Sequence, residues 1–502
     1  MSSHSLSVRS LTGLLLKRAI FVLIIFYLAT RLINLTLLPI FNDEAIYLHW
    51  GLIELSDIPR YLYYSLYDGK QPLLMWVFGA MQRLVEDPLI AGRLVSVATG
   101  LLTMIGLYEL GKRFFGRGTG VLAALIYIIL PIFAFYDRQA LMESSVACIG
   151  VWICYWFLRN IECPRYENIF WLGFLIGLGL FIKSSASIFL ANIILIGAYV
   201  LYANNKNKLF IIKYIFVILG SFGLALIILY PLLSQPDFMK IITMNSRYSF
   251  TLNEVLQIPL IKWLQNIQVT VELSWWYVTP FLFVLSIYGM GIIYKRRVGT
   301  SSIYLILWFI LPLLFFILFT KNPSSRYIVA FLPLVTIFCA QAFLSLHKKI
   351  LPWVFFISFL FPLIHLLLLL FSPLNYFYSM ERFTKYSDSI DYVRGPIAGY
   401  GITEVAKYLS GQAKGGDILV EMKNSNGNPE DSLYLYLRLN HKLSVLVRGF
   451  DCKNYINANK ASVYFVSRNY GLDDNGRCLQ EVKRFYKPGG KSFFGVYKLV
   501  RK

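Results

Sequence analysis

The sequence predicts an α-helical polytopic membrane protein with a small α/β domain at its C-terminal end. Three observations predict it. The 502 residues are 57% hydrophobic and only 15% charged, where soluble globular chains carry about 25% charged residues. Apolar runs long enough to cross a bilayer recur along the chain. The basic residues stand in short clusters between those runs. Mean hydropathy is +0.59, and a soluble fold this apolar would lack a polar coat. The net charge of +21 is dispersed along the chain instead of gathered on one face. It therefore describes topology, and no nucleic-acid partner is expected.

Eleven segments qualify as spans: 19–40, 89–111, 119–136, 145–158, 169–182, 186–203, 214–235, 276–294, 302–320, 327–346 and 350–371. The first is too long for a cleaved signal peptide and lacks a small-residue cleavage site, so it reads as retained. Basic residues set the sidedness. Arg9, Lys17 and Arg18 precede the first span. Lys112, Arg113 and Arg117 follow the second, and Arg159 and Arg165 the fourth. Lys206, Lys208 and Lys213 come next, then Lys295, Arg296 and Arg297, then Lys348 and Lys349. Every second connection is short and basic, which places the N-terminus in the cytoplasm of a multi-pass plasma-membrane protein.

The alternate connections then face outward. Two are long, 41–88 and 236–275. Residues 253–275 mix apolar and polar positions at helical spacing and read as a helix in the outer interface. Residues 60–76 are dense in tyrosine and also suit an interface. Residues 1–371 form the membrane domain and 372–502 an outer domain. The latter has 20 Lys+Arg against 12 Asp+Glu. Residues 400–411 read as an amphipathic helix, and DILVEM, LSVLVR, SVYFVS and FGVYKLV as strands. Cys452 and Cys478 lie in this outward part, where a disulfide is chemically permitted. Cys148, Cys154, Cys163 and Cys339 sit in or beside apolar segments and read as packing residues.

The residues able to do chemistry cluster at the outer ends of the spans. Asp43-Glu44 follows the first span. A carboxylate there can take the proton of an attacking hydroxyl, and the plainer reading is a helix-end pair solvated by headgroups. Lys70, between Gly69 and Pro72 in the tyrosine-rich loop, can meet a phosphate as a point charge or simply snorkel to lipid. Asp137, Arg138 and Glu143 form an acid–base–acid turn that suits either an ion pair or substrate positioning. Lys183 lies in the tight turn FIKSSAS, and Arg326-Tyr327 opens the tenth span. All lie on the outer side of a topology that was set without them. Ionisable groups at such depth are costly and read as functional by default. Neither a phosphate loop nor a strand-linked GxGxxG is present, so a nucleotide site of the usual kind is not expected.

With these residues in place, the chain resembles the GT-C membrane glycosyltransferases, in the glycosyltransferase family 39/83 branch. That branch holds the protein O-mannosyltransferases, the aminoarabinose transferase acting on lipid A and the RgtA–D-like transferases. The resemblance rests on the acidic pair Asp43-Glu44, the loop lysine Lys70 before Pro72, the R-x-x-L-[ML]-[DE] turn at Arg138–Glu143, and Arg326-Tyr327 followed by Pro333. It implies a GT-C-like membrane domain and an inverting transfer from a polyprenyl-phosphate sugar. Asp43 is the implied base, with Glu44 and Glu143 completing the catalytic acids. Lys70, Arg138, Lys183 and Arg326 are expected to hold the donor phosphate, and Asp137, Tyr63, Tyr64 and Tyr327 to contact acceptor or sugar. Membrane lipids and a lipid, glycan or protein acceptor are the expected partners. The resemblance leaves a divalent metal open, since no clear histidine partner for a metal site stands near these acids. Glu143 occupies a position where Asp is commoner. Ile46 stands where the aminoarabinose transferase has an arginine, which argues against that sugar.

The rival is a transporter or flippase of lipid-linked glycans. It shares the spans and the internal charges. It is disfavoured because the charges lie at one face instead of the midplane and no repeat of spans is visible. A non-enzymatic scaffold would not require the paired acids.

Overall fold

A computed structural model describes residues 19–296, 301–447, 462–468 and 478–500. The basic residues Arg9, Lys17, Arg18 and Arg297, and Cys452, lie outside the described residues. The chain forms two compact units. One gathers the segment ending at Ile33, Tyr63–Leu74 and Leu94–Leu370. The other gathers Asn34–Leu62, Met75–Arg93 and Phe371–Lys502.

A helix occupies each of the eleven apolar segments. Among the described residues, six helices are long and apolar enough to cross a membrane unaided: Pro88–Phe115, Glu143–Glu162, Ser184–Ala203, Lys208–Leu233, Ser302–Phe319 and Leu351–Phe371. Ala19–Leu32, Arg117–Ile129, Glu167–Ile182 and Leu332–Ser345 are shorter apolar helices. Leu260–Tyr277 meets Pro280–Lys295 at a bend of 108°. That bend is the geometry expected of a helix lying across a span. The interfacial helix expected over 253–275 is broken in two, Leu252–Leu256 and Leu260–Tyr277. The break falls at Ile258, whose φ is +52°. The following Pro259 disfavours the helical region for the residue before it.

Phe21, Ile25, Leu219 and Ile227 are each more than 60% exposed. Such residues on helices this apolar have lipid as their only favourable solvent. Between Glu167–Ile182 and Lys208–Leu233 the contact is made by small residues. A Cβ added at Gly173 would lie 2.6 Å from the Ser221 carbonyl oxygen, and one at Gly177 2.9 Å from Ile228. Close backbone approach through a small-xxx-small pair substitutes for the hydrophobic drive that is missing in lipid.

The second unit is built on a five-stranded sheet. Its strands are β1 (Ile418–Met422), β2 (Leu443–Val447), β3 (Ser462–Arg468), β4 (Leu479–Tyr486) and β5 (Phe493–Leu499), in the order β2-β1-β3-β5-β4. β2, β1 and β3 run parallel, and β5 and β4 complete the sheet antiparallel. The helix Glu430–Leu437 supplies the crossover from β1 to β2 that a parallel pair needs. Val420, Met422, Val466, Phe494 and Val496 are fully buried. β4 is absent from the sequence reading. LQEVKRFY is an edge strand with most of its residues exposed and a register shift between Glu481 and Lys483, so it has no apolar face to betray it. Cys478 is disulfide-bonded, and the four membrane-region cysteines are free.

Candidate functional site

In the membrane unit, Glu143 begins the helix Glu143–Glu162 with its side chain 2% exposed. Its Oε1 accepts from Lys183 Nζ at 2.9 Å and from Arg326 Nε at 3.0 Å. Its Oε2 is buried with no hydrogen-bond partner among the described residues. Lys183 sits in the turn between two helices, and Arg326 on the short helix Ser325–Ile328. Tyr136 Oη and Ser325 Oγ lie 2.6 Å apart and pin that short helix to the Pro131–Tyr136 segment. The Tyr327 ring lies 6.0 Å from Lys183 Nζ. Burial lowers the pKa of Lys183, Glu143 raises it, and the positive charges of Arg326 and Lys70 lower it again. Lys70 is therefore within electrostatic reach of the pair.

Lys70 follows a left-handed Gly69, φ +71°, that ends the 3-10 turn Tyr64–Asp68. Only glycine fits there, because an added Cβ would lie 2.6 Å from the Lys240 carbonyl oxygen. Lys70 Nζ stands 5.4 Å from the Tyr248 ring. Tyr248 belongs to a segment stapled to the connection that follows Ser302–Phe319 and to the turn at Ser184. Phe250 N donates to Phe319 O at 2.7 Å, Lys321 N to Tyr248 O at 2.9 Å, and Asn245 Nδ2 to Ser184 Oγ at 2.9 Å. The Thr251 backbone N–H, together with Lys321, holds the Glu254 carboxyl down to about 2. Tyr63 precedes the 3-10 turn, and the Tyr64 and Tyr67 rings lie 5.0 Å apart. Lys183 and Arg326 both pair with Glu143, and Lys70 adds a third positive charge within electrostatic reach of Lys183. The surplus of positive charge suits an anionic group such as a phosphate.

Asp137 and Arg138 hold the scaffold of the same unit. Asp137 is 1% exposed. Its carboxylate accepts from Arg31 Nε and Tyr27 Oη at 3.2 Å, Tyr127 Oη at 3.0 Å and Ser144 Oγ at 2.9 Å. Four donors leave it little capacity for an acceptor or sugar. Arg138 Nη1 donates to the carbonyls of Thr30 (3.1 Å), Arg31 (3.0 Å) and Ile33 (2.6 Å). It thereby satisfies carbonyls that the end of the first helix cannot satisfy itself.

In the second unit, Asp43 lies in the first turn of the helix Asn42–Ser56, partly exposed. Carboxylates in a first turn are favoured by the helix dipole. Glu44, expected to act beside it, is instead fully buried in a bidentate pair with Arg93, at 2.9 and 2.8 Å. Glu44 Oε2 also accepts from Phe41 N at 2.8 Å. Arg93 Nη1 reaches the carbonyls of Leu35 and Leu38 at 2.7 and 2.8 Å. Glu44 thus fixes where the helix starts, which places Asp43. Sequence reasoning missed Arg31 and Arg93. The available signal was a cation inside or at the edge of an apolar run. No group of three His, Cys, Asp or Glu side chains able to hold a metal occurs among the described residues.

Residues 69–234 match the dolichyl-phosphate-mannose-protein mannosyltransferase family. No curated protein sequence matches the chain significantly. Among solved structures, ArnT from Cupriavidus metallidurans in the apo state aligns with a TM-score of 0.58 at 14% identity, covering 97% of this chain and 98% of that one. The same protein bound to undecaprenyl phosphate aligns with a TM-score of 0.57 at 14% identity, over the same shares of both chains. The archaeal oligosaccharyltransferase AglB from Archaeoglobus fulgidus, in complex with an inhibitory peptide and a dolichol-phosphate, aligns at 0.53 and 12% identity, covering 91% of this chain and 69% of that one. The chain therefore has the fold of the GT-C membrane glycosyltransferases.

Proposed function

We propose that the chain transfers a glycosyl group, with inversion, from a polyprenyl-phosphate sugar to an acceptor hydroxyl on the outer face of the plasma membrane. The observation that carries this reading is the pair of cations Lys183 and Arg326 on the single buried carboxylate Glu143, with Lys70 within electrostatic reach of Lys183. It occurs in a fold that ArnT shares when bound to undecaprenyl phosphate and AglB when bound to dolichol-phosphate.

The charge count follows the chemistry. A polyprenyl-phosphate sugar is a phosphodiester with one negative charge. As the acceptor oxygen attacks the anomeric carbon, the carbon–oxygen bond to phosphate breaks and polyprenyl phosphate leaves with a second charge. Cations poised for that extra charge stabilise the transition state more than the bound donor, which is the condition for raising the rate. Glu143 holds Lys183 and Arg326 in place beforehand, so little reorganisation is needed. Asp43 takes the acceptor proton. Glu44, Asp137 and Arg138 act on the scaffold through the contacts described, and Tyr63, Tyr64 and Tyr327 offer rings for a sugar face. Membrane lipid surrounds the spans, the N-terminus is cytoplasmic, and the sheet domain is extracytoplasmic.

The test uses the purified full chain in detergent with a panel of radiolabelled undecaprenyl-phosphate hexoses and pentoses and an envelope lipid extract as acceptor source. The expected result is release of undecaprenyl phosphate that falls about 10²–10⁴-fold in Asp43→Asn, the worth of a general base. Binding or transbilayer movement of the lipid without bond cleavage would instead establish the transporter reading.

A further inference from the structure

The residues flanking Asp43 are tied to distant parts of the C-terminal segment by a continuous set of contacts within the second unit. Asn428 is fully buried. Its Nδ2 donates to Ile40 O at 3.1 Å and to Ile397 O at 3.0 Å. Its backbone N donates to Asn42 Oδ1 at 3.0 Å, and Asn42 Nδ2 in turn lies 3.4 Å from Asp43 Oδ1. Gly427, φ +95°, presses on the same Asn42 side chain, so that an added Cβ would fall 2.0 Å from Asn42 Oδ1. The second segment that Asn428 grips is itself held. Lys487, 2% exposed, donates to the carbonyls of Gly395 (3.1 Å), Pro396 (2.6 Å) and Ala398 (2.7 Å). Three carbonyls match the three donors of an ammonium. Beyond them, Gly399 abuts the Ile40 carbonyl oxygen, with an added Cβ only 1.9 Å away. The middle of the helix Asn42–Ser56 is fastened too. His49 Nδ1 lies 2.5 Å from Asp431 Oδ1, and its ring stacks on Tyr434 at 4.1 Å.

We propose that Asn428 is a positioning residue for Asp43: it fixes the backbone at Ile40 and the side chain at Asn42, and so sets where the Asp43 carboxylate stands. Lys487 supports it by immobilising the Gly395–Ala398 carbonyls. The C-terminal segment is then part of the catalytic apparatus, although it supplies no group to the reacting atoms. The proposal rests on the reading of Asp43 as the general base.

The test measures steady-state release of undecaprenyl phosphate by the full chain, using the panel sugar that wild type turns over. Asn428→Ala is expected to lower kcat about 10- to 100-fold, the loss that follows a displacement of about 1 Å. The donor KM should stay within about twofold, because the phosphate-binding cations are untouched. In an Asp43→Asn background the same substitution should cause no further loss, because the group it positions is gone. Wild-type kcat in a folded Asn428→Ala protein overturns the proposal. So does an equal fold-loss on the residual turnover of Asp43→Asn, which would show an action independent of Asp43. If Asn428→Ala does not fold, Asn42→Ala decides. It removes the bridge to Asp43 but leaves the grip on Ile40 and Ile397, and a kcat-only loss supports the proposal while wild-type kcat overturns it. Wild-type turnover in Asp43→Asn would bring down the base reading and this proposal together. An inactive Asp43→Asn beside a fully active Asn428→Ala would bring down this proposal alone.

Discussion

Replacing Arg93 by methionine should produce the largest single loss of stability in the second unit. The guanidinium and its partner carboxylate are both fully buried. Arg93 makes two hydrogen bonds to Glu44, at 2.9 and 2.8 Å, and reaches the carbonyls of Leu35, Leu38 and Pro39 at 2.7, 2.8 and 3.3 Å. Methionine fills much of the volume but supplies none of these donors. Glu44 would then stay buried, keeping its bond from the Phe41 N–H but without the guanidinium that neutralises it. Removing one partner of a buried ion pair costs about 3–5 kcal/mol, because the remaining charge is left uncompensated. For a cooperative unit of 150–250 residues each kcal/mol moves the midpoint by about 2–4 °C, so the apparent unfolding midpoint should fall by roughly 10 °C. Thermal unfolding of the detergent-solubilised full chain, followed by intrinsic fluorescence, reads this directly. The double variant Glu44→Gln/Arg93→Met should lose less than the sum of its single variants, with a coupling of about 1–3 kcal/mol. A midpoint for Arg93→Met within about 2 °C of wild type, or strict additivity in the cycle, would refute the assignment of Glu44 as the buried anchor of the helix start.

Three further outcomes are expected. Lys183→Met leaves Arg326 on Glu143 but removes one cation, so the donor KM in the undecaprenyl phosphate-release assay should rise about tenfold or more, the worth of one charge-assisted hydrogen bond. Gly69→Ala should also weaken donor binding while the chain stays folded, because the left-handed turn and the Lys240 carbonyl oxygen 2.6 Å away admit no side chain and Lys70 must shift; a donor KM equal to wild type in titrations of that variant would contradict it. Glu430 is raised to about 7 by burial, with Arg468 opposing. A raised carboxyl stabilises the fold below its ordinary value of about 4.5, and that contribution is lost as pH rises through about 7. Glu430→Gln should therefore flatten the fall in stability over that window by up to about 3 kcal/mol, read as unfolding midpoints between pH 4.5 and 8.

Much of the fold is legible because a bilayer leaves few choices. Each backbone polar group inside lipid must be satisfied within its own helix, so a long apolar run such as Leu351–Phe371 can be little else. The basic clusters that end these runs are likewise readable in one dimension, with no need of contacts. Strands β1, β3 and β5 were readable for a similar reason, since each carries a continuous buried apolar stretch. β4 was not, because its partner β5 holds it in the sheet and its own side chains are turned outward.

The candidate site divides along the same line. Residue type and sequence position mark Asp43, Lys70, Glu143, Lys183 and Arg326, because a charge at the end of an apolar run has a cost that must be repaid. What each charge is paired with depends on residues tens or hundreds of positions away. Asp137 and Glu143 are six residues apart and chemically alike. One is closed off by Arg31, Tyr27, Tyr127 and Ser144, and the other holds two cations with an oxygen unpartnered among the described residues. Of the adjacent acids, Glu44 is buried against Arg93, while Asp43 is partly exposed. Composition and periodicity alone determined that this chain is a membrane protein with charges at the ends of its apolar runs. Which of those charges pair with one another was decided only by tertiary packing. Ion pairing acts over a few ångströms in space, and distance along the chain does not encode it.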